Sequence, residues 1–144
     1  MIALGWDNAS LSADIALTDA GRLAAEDGLT TAVILSLFTD ARARADDALP
    51  DGAAGDRRGW AADAFAPEDR WGSRLWLLTR EKQTEETRRR ARDYAAEALD
   101  WLMPAGLATA VDVAAEWLDR GLLGLSVRIA TPAGRADLAF RMRF

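Results

Sequence analysis

The residues with most obvious chemical potential are Arg88-Arg89-Arg90 and Arg92. A cluster of guanidinium groups can meet phosphate or an acidic partner. Glu85 and Glu86 stand four residues ahead of Arg89 and Arg90, however, and Glu-before-Arg pairs at that spacing stabilise a helix. With a net charge of −5 for the whole chain, a solvated helix face is the favoured reading. Asp46-Asp47, Asp51 and Asp56 lack the Asp-x-Asp-x-Asp-Gly order and closing Glu of a calcium loop. The glycines from Gly52 to Gly59 are not followed by Lys-Ser/Thr and a helix start, so they do not make a phosphate loop. Glu81, between Arg80 and Lys82, is a lone general-acid candidate without a partner. A structural ion pair at a helix junction suits it better.

The chain contains no cysteine and no histidine. That removes disulfides, thiol nucleophiles, Cys-based zinc sites, Ser-His-Asp triads and HExxH metal sites. Carboxylates, Lys, Tyr and Ser remain for catalysis, and no cofactor is expected. A pI near 4.8 argues against general nucleic-acid affinity. The N-terminus lacks a basic region followed by an apolar stretch, and the longest apolar run, Ala32 to Phe38, is too short to span a bilayer. A soluble, unexported protein without membrane or small-molecule ligand is expected.

At 144 residues, the chain fits one domain over residues 1–144 with one real core. Residues 14–24 read as a small hairpin: Ile15 and Leu17 alternate, Asp19-Ala20-Gly21 supplies the turn, and Leu23 begins the return. Asp27 is a candidate N-cap for a helix in which Leu29, Val33, Ile34, Leu37, Phe38 and Ala41 recur at helical spacing. Ala32 and Leu35 widen that apolar arc, so most sides should be covered. Residues 46–72 have no period and form a long irregular loop carrying Trp60, Phe65 and Trp71. Three large aromatics argue for an ordered excursion lying on the protein's own body or on a neighbour. Gly72 to Leu78 reads as a short apolar helix capped by Ser73. Thr84 caps a second long helix with Ala91, Tyr94, Ala95, Ala98, Leu99 and Leu102 on its buried face, stopped by Pro104-Ala105-Gly106.

The last third switches to period two. Val111, Val113, Ala115 and Trp117, then Leu123, Leu125, Val127 and Ile129, then Leu138, Phe140, Met142 and Phe144 form three alternating runs joined by turns at Asp119-Arg120-Gly121 and Thr131–Gly134. The architecture is therefore α+β: an N-terminal hairpin, two long helices plus a short one, and a C-terminal three-stranded antiparallel meander packed on the helices.

Six tryptophans are many for this length and point mildly to packing against other proteins. Trp76 belongs to an apolar run and reads as core. Trp60 and Trp71 suit an interface or a core lid equally. The last strand, with Phe140, Met142 and Phe144, ends without a proline or charged tail, so at a sheet edge it would accept a partner's strand. The opposing readings are an edge capped by the N-terminal hairpin, or one simply guarded by Arg141 and Arg143.

Several stretches together resemble the baseplate protein family of Mu-like phages, known as phage protein forty-six. They are Asp27 to Asp40, Leu49-Pro50-Asp51-Gly52, Asp56-Arg57-Arg58-Gly59-Trp60, the most specific run Gly72 to Lys82, and Tyr94 to Leu102. The match extends from about Asp14 into the sheet, where it is one of pattern more than identity. Ala61-Ala62 departs from it, since a second aromatic is expected after Trp60. The resemblance implies a non-enzymatic structural subunit of a contractile tail baseplate, similar to the small lysozyme-named wedge protein of T-even phages. It further implies a place between hub or spike and sheath, with a sheet that templates the first sheath ring. Other wedge proteins, hub or spike proteins and the tail sheath would be its partners. It would be assembled in the host cytoplasm and housed in the virion tail of a phage, prophage or tailocin. Arg57, Arg58, Trp60, Trp71, Arg80, Glu81, Lys82, Phe140, Met142 and Phe144 are the expected contact residues. Two rivals remain. One is a muralytic enzyme pairing Glu81 with Asp63 or Glu68, which would need carboxyls about 5–9.5 Å apart. The other is a small nucleic-acid binder acting through Arg88–Arg92.

Overall fold

Alternation of apolar and polar residues along the last third produces the largest element, a sheet of order β3-β4-β5. Its strands are β3 (Ala110–Asp119), β4 (Leu122–Thr131) and β5 (Gly134–Arg143), each antiparallel to the next. The register places Ala115 opposite Leu125 and Leu125 opposite Phe140, so one face collects the apolar set. Leu123, Leu125, Val127 and Ile129 are buried completely or nearly so. Burying each such side chain stabilises the fold by about 1.5–3 kcal/mol. Earlier in the chain lie β1 (Leu4–Asp7), β2 (Ser12–Ile15), α1 (Leu29–Phe38) and α2 (Glu85–Leu99). The computed structural model describes residues 1–25, 28–68 and 70–144. Asp27, the expected N-cap of α1, lies outside them.

The two helices cover the apolar face of the sheet, as the α+β reading requires. On α2, Ala91, Ala95, Ala98 and Leu99 form the buried stripe. Small side chains there let the helix approach the sheet closely. Thr84 caps α2 as expected: its hydroxyl accepts the Thr87 N–H at 3.1 Å, with Glu85 and Glu86 in the first turn. On α1, Val33, Ile34 and Leu37 are buried, while Leu35 remains 40% exposed. The expected cover is thus incomplete on one side. Trp6 of β1 stacks on Phe38 with ring centroids 3.7 Å apart, and both meet the Phe140 ring edge-on. That aromatic trio joins the N-terminal ribbon, α1 and β5.

Three local readings are corrected. The regular hairpin is β1–β2, pairing Leu4 with Ile15 through Asp7 with Ser12. The turn at Asp19-Ala20-Gly21 also forms, with a short antiparallel pairing at Leu17–Leu23 closed by Thr18 N to Arg22 O at 2.8 Å and Ala24 N to Ala16 O at 2.9 Å. The apolar run before α2 is one 3-10 turn, Leu75–Leu78, not an α-helix. Ser73 does not cap it from the N-cap position, which Arg74 occupies; the Ser73 hydroxyl donates to Leu37 O and accepts from Leu75 N at 3.3 Å. The Glu–Arg pairs at i,i+4 are replaced: Arg88 bonds Glu85 at 2.9 Å, and Arg90 meets Glu81 at 3.3 Å.

The loop over residues 46–72 is tied down at its start and end. Arg74 is 8% exposed. Its guanidinium meets Asp47 at 2.8 Å and Glu97 at 2.6 Å, and lies 4.3 Å above the Tyr94 ring. Burial pulls the Arg74 pKa down, but the hydrogen bonds to Glu97 and Asp47 outweigh it and raise the value. At the far end, Ser73 N donates to Thr39 O and Ala41 N to Ser73 O, both at 2.9 Å. Gly72 sits at φ 98° in this pairing, where a Cβ would come within 2.4 Å of Thr39 O. Only glycine fits so close an approach.

Candidate interaction site

The expected contact residues fall into separate places. Arg57 donates to the Arg44 and Ala45 carbonyls. Arg58 pairs with Asp40 at 2.6 Å and lies 4.5 Å over the Trp76 ring. Both arginines therefore fasten the loop to the segment after α1. Trp60 is 55% exposed and Phe65 is 91% exposed. Trp71 packs beside Trp101, centroids 5.6 Å apart, and is half-buried. Arg80 and Lys82 are exposed, and Glu81 faces Arg90. Asp63 holds the loop through the Trp60 and Trp71 amides. Glu81 and Asp63 thus serve different local structures. Among the described residues, no group of three or more acidic side chains is placed to hold a metal ion.

On β5, parity decides which groups face outward. Phe144 N donates to Gly121 O, so the peptide groups of the even-numbered residues point at β4. Those of Arg135, Asp137, Ala139, Arg141 and Arg143 point away from it. Phe140 is 3% exposed, and its side chain belongs to the core rather than to an interface. Met142 and Phe144 also pack against that core, Phe144 edge-on to Trp117 at 5.8 Å. The outward residues of β5, not Phe140, Met142 and Phe144, therefore offer the strand's free backbone groups. Choosing by hydrophobicity had selected the inward parity.

The two sheet edges differ. Along β3, Arg88 donates to Ala115 O at 2.9 Å, Trp117 Nε1 donates to Thr84 O at 3.2 Å, and Gln83 bonds both Asp119 O and Gly121 N. That edge is covered by the start of α2. Along β5, among the described residues, a single side chain intervenes. Asn8 Nδ2 donates to Ala139 O at 3.2 Å, and Asn8 Oδ1 accepts from Arg141 N at 2.8 Å. Its carboxamide thus takes the place of a peptide in a neighbouring strand. Asp7 sets up the turn that carries Asn8: its carboxylate accepts the Ser10 hydroxyl at 2.7 Å and the Ala9 and Ser10 amides at 2.8 and 3.2 Å. These bonds, the hydroxyl first, hold the Asp7 carboxyl below the usual carboxylate range. Among the described residues, the sheet is therefore capped by the N-terminal ribbon at one point and uncovered before it.

Asn8 was not singled out by sequence reasoning, and Arg88 was taken there only as part of a basic cluster. The Arg88 target lies 27 residues away. Arg92 pairs locally with Asp93 at 2.6 Å. Much of the cluster's charge is thus engaged within the protein.

Comparison with known proteins places this arrangement. The chain is similar to the baseplate protein gp46 of Escherichia phage Mu, 49% identical over 133 residues, covering 92% of this chain and 88% of that protein. It is also similar to the Mu-like prophage FluMu protein gp46 of Haemophilus influenzae, 35% identical over 136 residues, covering 94% and 90%. The family model for phage protein GP46 matches residues 29–136, spanning α1, α2, β3, β4 and the start of β5. The chain belongs to the phage protein GP46 family.

Proposed function

We propose that this protein is a non-enzymatic structural subunit of a Mu-like contractile tail baseplate, a wedge component linking the hub or spike region to the sheath. The observation that carries the reading is likeness, along nearly the whole chain, to a protein of phage Mu named for the baseplate. Its partners are other wedge proteins, the hub or spike and the tail sheath, and its place is the virion tail after assembly in the host cytoplasm. Residues 1–144 act as one domain. The open half of the β5 edge accepts a strand from a neighbour, and the Trp60–Phe65 segment, with two exposed aromatics, makes a second contact.

Co-expression with the sheath and an adjacent wedge protein tests this. A complex should elute on size exclusion, and Asp137→Pro should abolish the strand-mediated contact. The Asp137 N–H points away from β4, so proline removes an outward donor and a solvent-exposed ion pair with Arg135, worth little to stability, and the melting temperature should change little. Absence of a complex with either protein would overturn the assignment. A complex indifferent to Asp137→Pro would leave the baseplate role but remove strand docking.

A further inference from the structure

The turn after Arg57 is bent against the segment that follows α1. Ala43 N donates to Arg57 O at 2.9 Å, and the next two residues take left-handed backbones, Arg58 at φ 49° and Gly59 at φ 108°. A Cβ on Gly59 would stand 2.8 Å from the Arg42 Cβ, so glycine is what lets the two segments touch. An arginine in that conformation is uncommon and persists where its surroundings hold it. Here the Asp40 carboxylate and the Trp76 ring hold the Arg58 guanidinium. The bend leaves a groove of about 460 Å³ with Arg42, Arg58 and Arg70 around it and Trp60, Pro67, Ala61 and Ala64 in its lining. Ala61 and Ala64 begin and end one 3-10 turn, in which residues three apart lie one above the other.

Charge in this groove is unbalanced. Among the described residues, Arg42 and Arg70 bond only main-chain carbonyls, Arg58 O at 3.4 Å and Pro67 O at 3.3 Å, and neither meets a carboxylate. Asp63 is the one described carboxylate in the lining, and it is occupied by the Trp60 and Trp71 amides. A chain of net charge −5 thus places two unmatched guanidiniums in one concavity, beside a tryptophan that is more than half exposed.

We propose that this groove receives an acidic segment of a neighbouring protein, with a carboxylate against Arg42 and Arg70 and an adjoining apolar side chain over Trp60 and the two alanine methyls. This rests on the reading of the Trp60–Phe65 segment as a contact and adds what that contact recognises. Guanidinium forks match the planar carboxylate. A long polyanion is disfavoured, because the chain's summed negative charge opposes it along its length, whereas a short acidic segment feels mainly the nearest cations.

The test titrates the full-length protein with an acetylated, amidated peptide in which two glutamates flank one phenylalanine between terminal glycines. A glutamine-for-glutamate peptide is the control. In NMR spectra the Arg42 and Arg70 Nε–H signals and the Trp60 indole N–H should shift with the acidic peptide, while Arg135, paired with Asp137, should not. Arg42→Gln and Arg70→Gln should each weaken binding about 2- to 5-fold, as expected for exposed ion pairs, and the double variant about 4- to 25-fold. Ala61→Trp, which fills the groove from an exposed position, should weaken it tenfold or more. Equal shifts with the glutamine peptide would overturn recognition by charge, and an unaffected Ala61→Trp would overturn the groove as the seat. Tighter binding of a thymidine oligonucleotide or of inorganic phosphate through the same signals would overturn the protein segment as occupant. Co-expression with the sheath and the adjacent wedge protein separates this from the reading beneath it. Assembly unchanged by Trp60→Ala removes the contact itself. Assembly lost with Trp60→Ala but kept in the double arginine variant leaves the contact and overturns its acidic partner.

Discussion

Replacing Arg74 by alanine should unfold this protein more readily than almost any other single charge removal. The side chain is 9% exposed, and the Asp47 carboxylate it meets is 11% exposed. Taking one partner from a buried ion pair leaves the other charged and poorly solvated, at a cost of about 3–5 kcal/mol. Glu97 is 43% exposed, so water screens most of what its contact with Arg74 contributes, about 0–1 kcal/mol. Contact with the Tyr94 face adds about 0.5–1 kcal/mol. Asp47 recovers part of the loss by turning toward solvent and Arg44, whose N–H it already accepts at 2.7 Å. The net expectation for Arg74→Ala is about 3 kcal/mol. For a chain of this size that corresponds to a fall in Tm of about 6–12 °C. Arg74→Lys should lose about 1–2 kcal/mol, because an ammonium cannot bridge both carboxylates in the guanidinium's planar geometry. Urea unfolding measures both, with an unchanged slope showing that only stability has moved. A loss under about 1 kcal/mol for Arg74→Ala would refute the reasoning. So would a double-mutant cycle with Asp47→Ala giving a coupling under about 0.5 kcal/mol.

Two other perturbations follow from local geometry. Gly72→Ala should cost about 2–4 kcal/mol in urea unfolding, since it combines a left-handed backbone with a Cβ driven into Thr39 O. Asp7 makes the Asn8 cap acid-sensitive. Its carboxyl pKa is lowered in the folded chain, so its contribution is complete above the unfolded-state value and is lost as pH falls through the folded one. Hydrogen-exchange protection of the Arg141 amide, corrected for intrinsic rate, should decline over that acidic range; in Asp7→Asn it should be low and insensitive to pH there.

Elements whose partners are close in sequence were legible in it. The meander could be read strand by strand because period two, two tight turns and a single buried face all agree. Thr84 was legible as a cap because its target is three residues away. The β1–β2 ribbon was not, because its turn uses no Asn-Gly or Asp-Gly signal: Asp7 organises it through side-chain bonds, and Leu11 takes a φ of 56°. Ser73 to Leu78 looked helical, but pairing of the 72–73 backbone with residues 39–41 leaves room for only one 3-10 turn. At the candidate site, the period of β5 was clear while the edge it would occupy was not. Nothing near Asn8 announces a partner 131 residues away.

That separation also gives the cap an order in time. Asn8 leaves the ribosome 133 residues ahead of Arg141, about 7–27 s earlier at ordinary rates of synthesis. The guard therefore exists before the edge it guards, and β5, made after it, emerges to find its cap already synthesised. A chain rearranged so that β5 preceded the ribbon would keep every contact and lose that sequence of events. Such a chain would spend its synthesis with the Ala139–Arg141 edge unguarded among neighbouring nascent copies.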